Sequence, residues 1–198
     1  RYGSWWHELM ERIPWDKAAD AWPQIFERHL ADSPEPERSR TEWNLLLAHI
    51  GRAGNFRAIL EGTEMIAHPE MPFFWSVDAA TCLEGVIDLA LFAPAAQRCL
   101  IIDWKTNRTT RGGTKELRER YRSQLAAYWK AVSAITEMPI AAGIFSTATG
   151  EFLAYTSEEL EAEWSRLRTL HSAELAAAVV DPDAPQEWAA QASGPAEF

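Results

Sequence analysis

Cysteine is scarce: Cys82 and Cys99 are the only two in 198 residues. That is too few for a disulfide framework and too few for the four thiolates of an iron–sulfur cluster. Both lie in strand-like stretches and read as buried free thiols, which fits a reducing, cytoplasmic setting. Long hydrophobic runs are also missing. No apolar stretch approaches the roughly 18 residues of a membrane span, and no signal peptide opens the chain. There are no repeats and no coiled-coil heptads. A nucleotide-binding loop is absent, because "RGGTK" (111–115) lacks the G-x-x-x-x-G-K-[ST] spacing. An ATP-driven motor is therefore expected outside these residues. The chain starts at Arg1 inside helix-like sequence, and we read it as one domain of a larger polypeptide.

What is present describes an ordinary soluble globule. Hydrophobic residues make up 47% and charged residues 24%, and the length suits a single domain with a proper core. The net charge of −10 argues at first against a nucleic-acid partner. Its distribution argues otherwise. Between 105 and 122, seven basic residues (Lys105, Arg108, Arg111, Lys115, Arg118, Arg120, Arg122) face only Glu116 and Glu119. From 151 onward, ten acids face only Arg166 and Arg168. A basic helix is usually a solvated face, but this one directly follows an unusual strand.

Apolar spacing predicts helices over 1–13 and 15–31, broken at Pro14, then a polar loop at "DSPEPERSR" (32–40). Helical periodicity returns over 41–49 and 53–61. "MPFFWSV", "LEGVIDLALF" and "RCLIIDWK" read as three strands. A long amphipathic helix follows over about 114–136, then a strand "IAAGIFST", a turn and a hairpin partner "EFLAY". A last helix spans about 157–178. The expected organisation is one domain over 1–180, with a helical part (1–62) and an α/β core (63–180). Residues 181–198 form a peripheral extension. The class is α/β with a mixed sheet.

"IIDWKTN" (101–107) places Asp103 and Lys105 on one face at the end of a buried strand. Charges at the mouth of a core are costly unless they meet a partner or a metal. Centring the connection "LFAPAAQRC" between Ala95 and Ala96 pairs residues whose numbers sum to 191, which sets Asp88 opposite Asp103. Directly opposed side chains have Cβ atoms about 4.5–5.5 Å apart, where like charges repel. A shared Mg²⁺ or Mn²⁺ would remove the conflict. Lys105 would then stand beside the ion, able to orient water or stabilise charge on a phosphate. Trp104 points the other way into packing, with its backbone carbonyl left near the ion as a further ligand.

"GVIDLAL", "IIDWKTN" and "YRSQLAAYW", in that order, resemble the PD-(D/E)xK nucleases, specifically the branch at the C-terminus of the helicase–nucleases AddA and RecB. "GSWWH" (3–7) is similar to that branch's upstream Gly-x-x-x-His. The likeness runs from Gly3 to about Ser146. It implies a restriction-endonuclease-like mixed sheet flanked by helices, behind an N-terminal helical segment. It also implies Mg²⁺-dependent phosphodiester hydrolysis leaving a 5′-phosphate, with single-stranded DNA as substrate during double-strand-break repair. His7, Asp88 and Asp103 would bind the metal with Trp104's carbonyl, and Asp88, Asp103 and Lys105 would be catalytic. Glu70 in "HPEMPF" resembles a glutamate of the first strand. Gln124 and Tyr128 match a Gln-x-x-x-Tyr facing DNA, and share a helix face. Tyr121, Arg108 and Arg118 join them as DNA contacts, although a core stripe with Leu125 and Val132 explains Tyr128 nearly as well. Partners implied are DNA, an upstream helicase domain and a second helicase–nuclease subunit, with no membrane. A catalytically silent DNA-binding module, or a free-standing Cas4-like or phage exonuclease, are the alternatives.

Overall fold

The sheet is organised around the hairpin that carries the two aspartates. Strand β2 (Cys82–Ala93) and strand β3 (Arg98–Lys105) pair antiparallel from Leu89–Ile102 to Ala93–Arg98, the expected register. A single 3₁₀ turn over Pro94–Ala96, closed by Gln97 in the left-handed region (φ 50°), makes the connection. The computed structural model describes residues 1–52, 56, 64–78, 81–108 and 113–182. The expected 53–61 helix and Arg111 therefore lie outside the described residues, Phe56 excepted.

Strand β1 (Ile66–Ser76) pairs antiparallel with β2. On the other side, β3 pairs parallel with β4 (Ile140–Ser146), which turns back antiparallel into β5 (Glu151–Tyr155). A parallel pair needs a long crossover, and α4 (Gly113–Ser133) supplies it. The β4–β5 turn uses Gly150 at φ 68°, where a Cβ would come within 2.8 Å of Leu45. The spatial order β1-β2-β3-β4-β5 makes a mixed five-stranded sheet.

Each face of the sheet has its own core. Helices α1 (Tyr2–Arg12), α2 (Trp22–Leu30) and α3 (Pro36–Ile50) cover one face, burying Trp6, Trp15, Trp22 and Trp43 against Leu89, Leu100, Ile102 and Trp104. Helix α4, with α5 (Ser157–Leu167) and α6 (Ser172–Val179), covers the other. That face buries Tyr121, Leu125 and Trp164 against Ile87, Cys99 and Ile101. Strand alternation therefore sends Trp104 toward the N-terminal helices and leaves Asp103 and Lys105 facing α4.

Alternation breaks at one place. In β2, Leu89, Leu91 and Ala93 belong to the first core, yet Leu83 and Ile87, of the same parity, belong to the second. In β1, Ala67 packs on the first core while Met71, Phe73 and Trp75 pack on the second. The reversal falls between Pro69–Leu89 and Met71–Ile87, where Glu70 and Asp88 face each other. Glu70 has φ 47°, a left-handed conformation that is rare and costly for a non-glycine residue. The ribbon of β1 and β2 rolls over at this point, and the β2–β3 ladder stops there.

The helices depart from the periodicity in three places. Helix α2 begins at Trp22 rather than 15, with Pro23 in its first turn, where a missing N–H costs nothing. For the same reason α3 begins at Pro36, inside the expected loop. The last helix is two: α5 opens on a Thr156–Glu159 capping box, and α6 starts after His171, whose N–H donates to Glu174 Oε2 at 3.1 Å. Among the described residues no helix is long and apolar enough to cross a membrane.

Cys82 is exposed and only Cys99 is buried, a correction to the reading of two buried thiols; Cys82 sits on the solvent face of the ribbon. Burial pushes the Cys99 thiol up to about 12. In the native protein at pH 8, a thiol-reactive chromogenic disulfide should modify one equivalent rapidly, and the second only after denaturation. Labelling of both thiols at equal rates would contradict this packing.

Candidate active site

Helix α1 lays His7 over the point where the β1–β2 ribbon rolls. Its Nδ1 lies 3.5 Å from Asp88 Oδ1 and 3.6 Å from Glu70 Oε1, and one donor atom from each of the three residues lies within 4.8 Å of the others. Burial alone would lower the His7 pKa, but the Asp88 charge and the Glu70 hydrogen bond outweigh it and raise it to about 9. A cation that takes Nδ1 therefore competes with a proton. One imidazole and two carboxylates form a donor set that hard divalent ions accept. Glu70, whose likeness to a first-strand glutamate is loose in sequence, is placed squarely in this cluster.

Asp88 also finishes the ladder that β2 abandons. Its Oδ2 accepts the Trp104 N–H at 2.7 Å, taking the place of a main-chain carbonyl. Trp104's indole lies 5.4 Å from the Trp15 ring, so its backbone is the part that meets the cavity.

Asp103 is one step further in. It is 1% exposed and its Oδ2 lies 2.9 Å from Lys105 Nζ, itself 4% exposed, so the two do share a face. Burial and the Asp88 charge push Asp103 upward while Lys105 pulls it down, and the net shift is upward. Burial would lower Lys105, but Asp103, Asp88 and Asp181 together hold it well above its ordinary value. Protein groups already offset part of the repulsion between the two aspartates. Asp103 is paired with Lys105, and Asp88 with His7 and a backbone N–H. Asp103 Oδ1 remains buried without a hydrogen-bond partner, an acceptor available to a further ligand.

Lys105 has a third neighbour that sequence reading placed in a peripheral extension. Asp181 Oδ2 lies 2.8 Å from its Nζ, carried in from beyond α6. Its only sequence signal is its membership of the acidic C-terminal stretch. Below the lysine, the Tyr121 ring centroid is 4.4 Å from Nζ. A cavity of about 760 Å³ opens over these groups, bordered by Gly3, His7, Glu70, Lys105, Asn107 and Asp181.

The remaining expected site residues divide. Gln124 and Tyr128 are both buried and joined by a 2.9 Å bond from Gln124 Nε2 to the Tyr128 hydroxyl. Tyr128 also packs edge-on against Phe73, within the core on the α4 side of the sheet. Burial, then the charges of Asp103 and Asp88, hold its hydroxyl protonated well above its ordinary value. Tyr121 donates to Asn107 Oδ1 at 3.2 Å. Arg118 is drawn away: it binds Glu159 at 3.0 Å and the Ala154 carbonyl at 2.9 Å. Arg108 pairs with Glu35 at 2.9 Å while staying largely exposed. The basic stretch is thus partly spent on structural pairs.

A family model described as the PD-(D/E)XK nuclease superfamily matches residues 1–193. The chain belongs to the PD-(D/E)XK nuclease superfamily. The mixed sheet with flanking helices is the restriction-endonuclease-like arrangement of that superfamily. A crystal structure from Eubacterium rectale, of a protein carrying a provisional exonuclease name, aligns over 93% of this chain and 70% of its own, with 14% identity and a TM-score of 0.47. A comparison with curated proteins finds no match.

Lys105→Met leaves Asp103 without its close cation and should destabilise the fold by about 3 kcal/mol at pH 8. The loss should shrink as pH falls. Asp103 has a raised folded-state pKa, so the native state binds more protons than the unfolded chain and gains stability on acidification. The double variant Asp103→Asn/Lys105→Met should recover most of the loss. Urea melts at pH 6 and pH 8 check both statements, and an equal loss for single and double variants would contradict the pairing.

Proposed function

We propose that this domain is a divalent-metal-dependent deoxyribonuclease. The observation that carries the reading is the convergence of His7, Glu70 and Asp88 on one point, with a buried lysine–aspartate pair beside it. These residues fit a hard cation by donor chemistry, and Asp103 Oδ1 is a buried acceptor without a hydrogen-bond partner. A bound Mg²⁺ or Mn²⁺ would supply Lewis acidity toward a phosphate oxygen and make water a competent nucleophile.

The chain's own residues do the rest. Lys105 is held protonated at neutral pH by Asp103 and Asp181, so it is an electrostatic partner for a phosphate or a developing oxyanion rather than a base. Asp103 fixes the direction of that ammonium, and Tyr121 limits its movement from below. Asp88 anchors β3 through the Trp104 N–H, which keeps the carboxylates on the two strands in step. Tyr128 and Gln124, joined to each other on α4, stand where the charges of Asp103 and Asp88 are felt by the tyrosine hydroxyl. Asp181 occupies a donor on Lys105 that a substrate phosphate would also use.

The Gly-x-x-x-His, Asp, Asp-x-Lys and Gln-x-x-x-Tyr motifs, in that order, support placement in an AddA/RecB-like helicase–nuclease acting on single-stranded DNA in break repair. In that setting a motor in the same polypeptide feeds the strand, and a second subunit is a natural partner. A free-standing exonuclease with the same site satisfies the geometry equally.

With labelled single-stranded DNA and Mg²⁺ or Mn²⁺, the wild type should release short 5′-phosphorylated products. Asp88→Asn, Asp103→Asn and Lys105→Ala should each lose at least about 100-fold. Mn²⁺ titration by calorimetry should show weakened binding in His7→Ala and Glu70→Gln, by about ten- to a hundredfold. DNA that stays intact with either ion, or DNA binding indifferent to Mg²⁺ and to Asp103→Asn, would favour a silent binding module. ATP dependence in the full-length polypeptide separates the helicase–nuclease from the free-standing enzyme.

A further inference from the structure

The site depends on two elements far apart in sequence: α1, which carries His7, and the end of β3, which carries Asp103 and Lys105. One side chain of α3 touches both elements. Arg38 Nη2 donates to the Thr106 carbonyl, one residue past the lysine. Its Nε binds Glu42 Oε1 at 2.7 Å and its Nη1 binds Glu35 Oε1 at 3.3 Å. Its guanidinium carbon stands 3.8 Å over the Tyr2 ring. The Tyr2 hydroxyl in turn donates to the buried Glu42 Oε2 at 3.0 Å. All three guanidinium nitrogens are therefore engaged, one per partner, and the flat face is stacked as well.

Tyr2 opens α1, five residues before His7. At the next position, Gly3, an added Cβ would sit 3.3 Å from Thr106 Oγ1, so helix and strand end meet closely and have little room to slide. We propose that Arg38 is a positioning residue that locks α1 to the end of β3, and so sets His7 relative to the Asp103–Lys105 pair. The inference rests on the nuclease reading for its rate effect, but the geometry it asserts can be measured apart from cleavage. Lysine cannot replace the fork, because an ammonium offers neither three divergent planar N–H directions nor a stacking face. A displacement of about 1 Å at a reacting centre is enough to cost on the order of 100-fold in rate.

The test uses Arg38→Lys and Arg38→Ala, with Tyr2→Phe as a milder variant that keeps the ring and loses only the hydroxyl bond. Circular dichroism and thermal melting report the fold. Cleavage of single-stranded DNA is separated into kcat and KM, and Mn²⁺ bound to the protein is followed by pulsed electron paramagnetic resonance for nitrogen coupling from His7. Folded Arg38→Lys should lose on the order of 100-fold in kcat with KM within about twofold, and its nitrogen coupling should weaken. Guanidinium ion at millimolar concentration should partly restore Arg38→Ala, whereas ammonium at the same ionic strength should not. Tyr2→Phe should move kcat and the coupling in the same direction by a few-fold, which keeps the test decisive if the Arg38 variants unfold. Unchanged kcat and nitrogen coupling in folded Arg38→Lys, or in Tyr2→Phe if it does not fold, overturns the inference. A rise in KM alone also overturns it, since Arg38 would then be a DNA contact. If the wild type cleaves nothing, the nuclease reading fails, and the nitrogen coupling still decides the clamp.

Discussion

Everything in this fold is arranged around two carboxylates that have been taken out of water. Asp88 and Asp103 stand at the end of the β2–β3 ladder, and both are buried or nearly so. Charges in such a place are tolerated only with partners, and the chain provides a different one for each. A buried lysine two residues along the same strand serves Asp103. A histidine from the first helix and the N–H of Trp104 serve Asp88. The N-terminal helices, the crossover helix and the segment after α6 all deliver a group to this point: His7, Tyr121 and Asp181 respectively.

That requirement also explains the distortion beside it. A flat ribbon continuing past Leu89 would keep Ile87 facing the N-terminal core. The left-handed residue at Glu70 rolls β1 and β2 over instead. Odd-numbered residues change cores, the ladder to β3 ends, and the Asp88 carboxylate is left to accept a hydrogen bond that a main-chain carbonyl would otherwise take. Strain at Glu70 and a free carboxylate at Asp88 are two sides of one geometric event. The same event turns the Glu70 side chain toward His7. Strain of this sort persists where the surroundings over-determine it, and here the aromatic packing of Phe73 and Trp75 on Tyr128 and Trp164 does so.

Two groups of the cluster hold their charge against burial, Lys105 and His7. Lys105 is more tightly charged than an ordinary lysine because three aspartates surround it, and His7 is a proton carrier unless something displaces its proton. A negatively charged ligand must compete with Asp181 for Lys105, and a cation must compete with a proton for His7. Most of the chain's net acidity lies in its C-terminal third, and part of it folds back onto the basic stretch after β3, where Asp181 meets Lys105 and Glu159 meets Arg118. That stretch offers less free charge than its composition implies, because Arg118 and Arg122 are bound to neighbouring glutamates.

Alternation and spacing along the chain were enough to determine four strands, the second half of β1 (which begins at Ile66, before the expected "MPFFWSV"), the long crossover helix and the β2–β3 register. A period of two and a short Pro-Ala-Ala connection leave few other pairings. They were also enough to put Asp103 and Lys105 on one face with Trp104 on the other. The N-terminal boundaries were misjudged where a proline opens a helix, because Pro breaks a helix interior yet suits its first turn. Only the tertiary structure decided what meets Asp88 and Lys105. The roll at Glu70, the reach of Asp181 and the fork of Arg38 join residues tens of positions apart, and no local periodicity encodes a contact whose energy depends on which surfaces the folded chain closes over.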